Sequence, residues 1–140
     1  MNKSVLSAIL VASLNTVIWA ATHVQMEACK LTPDVKKELN LTPQQEPKVN
    51  NVFSDVAPKR QQIEKSMQER QNLVKSGADE ATLDTHTKKL IKLENQCRED
   101  SHRLLKPILT GDQYSKLLEM EEAHRKFVME REEARKRQAK

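Results

Sequence analysis

At 140 residues, with 31% charged and 37% hydrophobic side chains, the chain has material for one modest domain and none to spare for a large enclosed active-site cavity. Lys and Arg number 24 against 20 Asp and Glu, a mild excess mixed along the chain, and aromatics are only 3%. That composition excludes a stacking surface for single-stranded nucleic acid, and with two glycines and mostly Leu, Lys, Glu, Gln, Arg, Ala and Met it is the composition of long helices.

Residues 1–21, MNKSVLSAILVASLNTVIWAA, place Lys3 ahead of an apolar run that ends in small residues, the layout of a cleavable secretory signal. Ser7, Ser13, Asn15 and Thr16 interrupt the run, so it is a poor membrane span, and no stable membrane insertion is expected. Residues 22–140 then form a single domain. MEAC at 26–29 is too far from the apolar run, and too acidic at Glu27, for a lipid-anchoring cysteine.

The chain holds two cysteines, Cys29 and Cys97. After export to an oxidising compartment, they suit one intrachain bridge, free thiols or a link between subunits, and the sequence leaves these open.

Helix starts are written in threonines. LTPDV at 31–35 has threonine and proline in place and opens a short helix ending near Asn40. LTPQQ follows at 41–45: Thr42 suits the N-cap, Pro43 the first helical position, and Gln45 can reach back to the capping residue's N–H. From Pro43 an apolar stripe of Val49, Val52, Phe53, Val56, Ile63, Met67 and Val74 predicts one long helix with bends at Pro47 and Pro58. SGAD at 76–79 is a reversal, with Gly77 in the turn and Asp79 capping a helix over about 80–108 on Leu83, Leu90, Leu93, Cys97, Leu104 and Ile108. The two long helices should form an antiparallel hairpin. LTGDQ at 109–113 repeats the capping box with Thr110 and Gln113, and Leu109 can staple onto Tyr114. The last helix, about 111–137, is apolar early and nearly all charge late, so 130–140 should project into solvent.

Two LTxxQ boxes, Leu41-Thr42…Gln45 and Leu109-Thr110…Gln113, separated by a helical pair in an exported all-helical chain, resemble the Spy/CpxP family of periplasmic LTxxQ proteins. The resemblance covers nearly the whole mature chain. It implies a thin, curved, all-α homodimer that works without ATP or any cofactor as a periplasmic chaperone, binding unfolded or misfolded proteins and suppressing their aggregation. Some members also restrain an envelope-stress sensor kinase. The chain departs from the family at Pro47 and in its two cysteines.

For such a chaperone the client-binding candidates are basic and apolar side chains on the long helices: Lys59, Arg60, Lys65, Met67, Arg70, Lys89 and Lys92. The bland alternative for each is a solvated helix face, and for Met67 a core position. The boxes read as structural caps. The competing class is a periplasmic metal-binding or metal-sensing protein of the same fold, on the i, i+3 pairs Glu99 with His102 and Glu121 with His124. Helical geometry puts Glu99 and His102 about 200° from the apolar positions 97 and 104, facing solvent, and no metal site is expected. No Ser, Cys and His motif of a hydrolase is present, so an enzyme is not expected either.

Overall fold

The computed structural model describes residues 24, 26, 27 and 29–138; the expected secretory signal over 1–21 lies outside them. The described residues are all-helical, with five helices and no strand: α1 (Pro33–Leu39), α2 (Gln45–Asp55), α3 (Ala57–Lys75), α4 (Glu80–Leu105) and α5 (Gly111–Gln138). Among them no helix is long and apolar enough to cross a membrane.

Each threonine start forms as chemistry demands. Thr32 Oγ1 accepts from Val35 N at 3.3 Å, and α1 ends at Asn40 in the left-handed region, φ 48°. Thr42 N donates to Gln45 Oε1 at 3.0 Å while Gln45 N donates to Thr42 Oγ1 at 3.2 Å. The regular helix begins only at Gln45, because the first turn closes on Thr42 O through both Gln45 N and Glu46 N. Pro47 consequently falls in the first turn of α2, where its missing N–H has no intrahelical partner to lose, so no bend is needed there. The other proline does act. The expected single helix divides at Val56, and Pro58 sits in the first turn of α3 without the N–H that would have bonded Ser54 O.

α3 closes in a Schellman motif: Gly77 takes φ 73°, its N–H reaches Val74 O at 3.1 Å, and Ala78 N reaches Leu73 O at 3.0 Å. Asp79 then caps α4, accepting from Thr82 N at 2.8 Å. α4 stops at Leu105, short of the expected Ile108, since Pro107 cannot continue the ladder.

Two apolar clusters hold the helices. The larger joins α1, α2 and the adjoining ends of α4 and α5 through Val35, Leu39, Val49, Val52, Leu105 and Leu117, with Leu109 and Met120 also buried and Tyr114 packed against it. The smaller gathers Cys29, Val56, Ile63 and Cys97, with Leu90, Leu93 and Leu104 partly covering it. α3 packs mainly on α4: Arg70 Nε donates to Thr87 Oγ1 at 2.9 Å, His86 meets Glu69 at 3.6 Å, and Lys59 pairs with Asp100. The expected apolar stripe is corrected at its far end, where Met67 is 44% and Val74 52% exposed. Ser66 is buried and Arg70 reaches α4 instead, and among the described residues no third element covers the neighbouring face.

Candidate functional site

The two boxes meet. Gln45 Nε2 donates to Gln113 Oε1 at 2.7 Å, and Gln113 Nε2 donates back to Gln45 Oε1 at 3.0 Å. Each amide's remaining N–H goes to a carbonyl just ahead of the other box: Gln45 to Ile108 O at 3.0 Å, Gln113 to Leu39 O at 3.1 Å and Asn40 O at 3.4 Å. Each oxygen also accepts from its own threonine's N–H, Thr110 N to Gln113 Oε1 at 2.9 Å mirroring Thr42. Both donors and both lone pairs of each carboxamide are thereby used, in a near two-fold arrangement. The Lys116–Glu38 pair at 2.9 Å, which holds the Glu38 carboxyl below its usual range, and the Lys36–Glu46 pair at 3.3 Å border this junction.

Beside it, α4 and α5 flank an open cleft of about 360 Å³. Val35, Phe53, Leu105 and Leu117 give its apolar floor, and Val128 and Met129, 49% and 57% exposed, extend one wall along α5. The opposite wall is α4 with Glu94, Arg98 and Ser101, and Met26, Glu27, Cys29 and Lys30, a strap ahead of α1, close one side. Burial raises the Glu94 carboxyl above the ordinary range. Arg98 has no ion-pair partner among the described residues, whereas Arg125, on the α5 side, pairs with Glu122 at 2.7 Å.

The strap is tied to α4 by a disulfide between Cys29 and Cys97, with Cα atoms 6.0 Å apart. Cys97 is fully buried and Cys29 is 8% exposed. Ser101 Oγ lies 3.7 Å from Cys29 Sγ and donates to Cys97 O at 2.8 Å.

The histidines correct the single-helix reading. His102 does not face solvent: its Nε2 lies 2.8 Å from Glu121 Oε1, its Nδ1 3.4 Å from the Tyr114 hydroxyl, and the two rings meet edge to face at 5.7 Å. α5 covers that side of α4, which a helical wheel of α4 alone cannot register. One member of each expected metal pair is thus engaged with the other across the two helices, and Glu99 stays exposed. Among the described residues no three His, Cys, Asp or Glu side chains converge as a ligand set.

None of the seven client-binding candidates lines the cleft. Lys59 is paired to Asp100, Arg60 to Glu64 at 3.6 Å and Lys89 to Glu69 at 3.9 Å. Arg70 is spent on Thr87 between the helices; Lys65, Met67 and Lys92 are exposed on the α3 and α4 surface. The cleft residues Arg98, Val128 and Met129 escaped sequence reasoning, although an apolar pair followed by an almost wholly charged helix end was their visible signal.

Compared with family models, curated proteins and solved structures, the chain matches none.

Proposed function

We propose that this protein is an exported, periplasmic, ATP-independent chaperone that holds unfolded or misfolded polypeptide against the cleft between α4 and α5. The observation that carries the reading is the cleft itself: apolar side chains left exposed next to an arginine with no ion-pair partner among the described residues and a carboxylate raised by burial. Extended chains with mixed apolar and charged side chains have the matching chemistry, and weak contact distributed over such a surface permits release without nucleotide. Met67, Val74 and Ile91 add exposed apolar carbon on α3 and α4, with Lys65 and Lys92 on the same two helices.

The separation of paired residues along α3 and α4 widens away from the turn, from Arg70–Thr87 to Lys59–Asp100, which supports an antiparallel hairpin. A thin, curved homodimer would give two such clefts, and a sensor kinase's periplasmic domain is a further partner in this reading. Metal binding, the other class, has no converging ligand set to favour it among the described residues.

Light scattering of a denatured cysteine-free protein, diluted without ATP into the mature chain, tests the proposal. Suppression of aggregation that weakens with added salt, and is reduced by Val128→Ser with Met129→Ser, is expected. No suppression at several-fold excess would overturn it.

A further inference from the structure

We infer that the Cys29–Cys97 bond is a redox gate on the α4–α5 cleft, tethering the strap of Met26, Glu27, Cys29 and Lys30 as a releasable wall. Four observations carry this. The strap supplies Met26, Glu27, Cys29 and Lys30 to the cleft lining. Its own polar contacts are local, Lys30 N to Glu27 O at 3.2 Å and the exposed Lys30–Glu27 ion pair at 2.8 Å, so they do not attach it to α4. Met26 packs on the larger apolar cluster, and the polar and covalent ties to α4 are the disulfide and the neighbouring Ser101 hydroxyl. Cys29 also sits at φ 56°, in the left-handed region that a residue with a β-carbon adopts at a cost, and the covalent tie holds it in place.

The two sulfurs differ in access. Both belong to the smaller apolar cluster, but Cys97 is fully buried while Cys29, 8% exposed, also lines the cleft. An external dithiol therefore reacts at Cys29: its thiolate bonds to Cys29 Sγ, the Cys29–Cys97 bond breaks, and Cys97 leaves as a thiolate that takes up a proton. The second thiol of the reductant then attacks the mixed disulfide. The products are two cysteine thiols and the cyclic oxidised dithiol, a transfer of two electrons and two protons to the protein.

After reduction the core anchors remain, since Val35, Leu39 and the glutamine junction lie beyond the strap. The wall does not. Contact area for a client falls with it, so the oxidised chain is the holding form. The structural part of this inference is independent of the chaperone reading; the functional part rests on it.

Hydrogen exchange of the mature chain, oxidised and after dithiothreitol, tests the first part. Exchange is expected to rise at least about tenfold more over residues 26–31 and the facing stretch 94–101 than over residues 39–46 and 108–117, which open only with the whole chain. A uniform rise along the chain, or loss of far-UV helicity, would make the bond a global staple and overturn the gate; so would no change at the strap. Cys29→Ser should reproduce the reduced pattern and no longer respond to dithiothreitol. In the scattering assay with a cysteine-free client, the reduced chain should need roughly threefold more protein for equal suppression, in line with partial loss of buried apolar area. Equal suppression with the strap released overturns the gate. If the oxidised chain suppresses nothing, the chaperone reading fails while the exchange result still decides whether the strap is redox-held.

Discussion

The glutamine junction ties the start of α2 to the start of α5, the cleft opens between α4 and α5, and the two regions, which share α5, handle polar groups in opposite ways. At the junction every hydrogen-bonding valence of Gln45 and Gln113 has a protein partner. Roughly three to four turns further along α4 and α5, among the described residues, Arg98 has no ion-pair partner, Glu94 is desolvated, and Val128 and Met129 are about half exposed. The contrast teaches how an all-helical chain keeps a surface open: it concentrates satisfaction at one point, which fixes where the helices start, and leaves them apart beyond it.

Cutting the disulfide has the largest expected effect. In the chain-entropy picture a loop of 68 residues between bridged cysteines is worth on the order of 4 kcal/mol, so urea unfolding of reduced against oxidised protein should lose up to that amount. Retention of all of it would mean that the strap matters to neither region. Gln113→Leu comes next, because it strands Thr110 N–H and Leu39 O and breaks the amide pair: unfolding free energy should fall by about 2–3 kcal/mol. In a double-mutant cycle with Gln45→Leu the two losses should fall short of additive by at least about 1 kcal/mol. Simple additivity would reduce the junction to two independent caps.

Asp79→Ala removes a cap remote from both regions and should lower the melting temperature by about 3–5 °C. The Thr82 backbone N–H holds the Asp79 carboxyl below its ordinary value. Its contribution is therefore present above the unfolded-state value and lost as pH falls through the lower, folded one. The variant should flatten that acid limb of a stability–pH curve. The smallest effect falls in the cleft. Glu94 is raised by burial, so its ionised form weighs against folding above the folded value, and the weight lifts as pH falls toward the unfolded value. Glu94→Gln should stabilise the chain near neutral pH by less than about 1 kcal/mol, given partial solvent screening, and change little in acid. Destabilisation at neutral pH would mean that a cation compensates Glu94 in solution.

The helix starts were legible because capping chemistry is local: a threonine, its following proline and a glutamine three residues on determine which N–H and which oxygen meet. That Gln45 and Gln113 also meet each other was not, since nothing in five letters records a partner 68 residues away. Pro47 and Pro58 look alike in sequence and both fall in a first turn; they differ in what precedes them, a capped start for Pro47 and the running ladder of α2, which is interrupted, for Pro58. His102 was misplaced for a similar reason, because its burial is supplied by Tyr114 and Glu121 of another helix. Met67 and Val74 extended a correct periodicity past the point where a third layer exists to cover them. The cleft itself depends on how far two helices stand apart, a quantity that periodicity does not encode.

From residue 130 onward every described side chain of α5 is exposed, and the ion pairs there, Arg135–Glu132 at 2.8 Å and Arg137–Glu133 at 3.5 Å, are internal to the helix. A segment this short is marginal as an isolated helix, and such pairs weaken as salt is added. Helical order at this end should therefore fray first as salt is added, over the roughly 13 Å that residues 130–138 span at about 1.5 Å per residue. The earlier part of α5, buried at Leu117 and Met120, keeps its order.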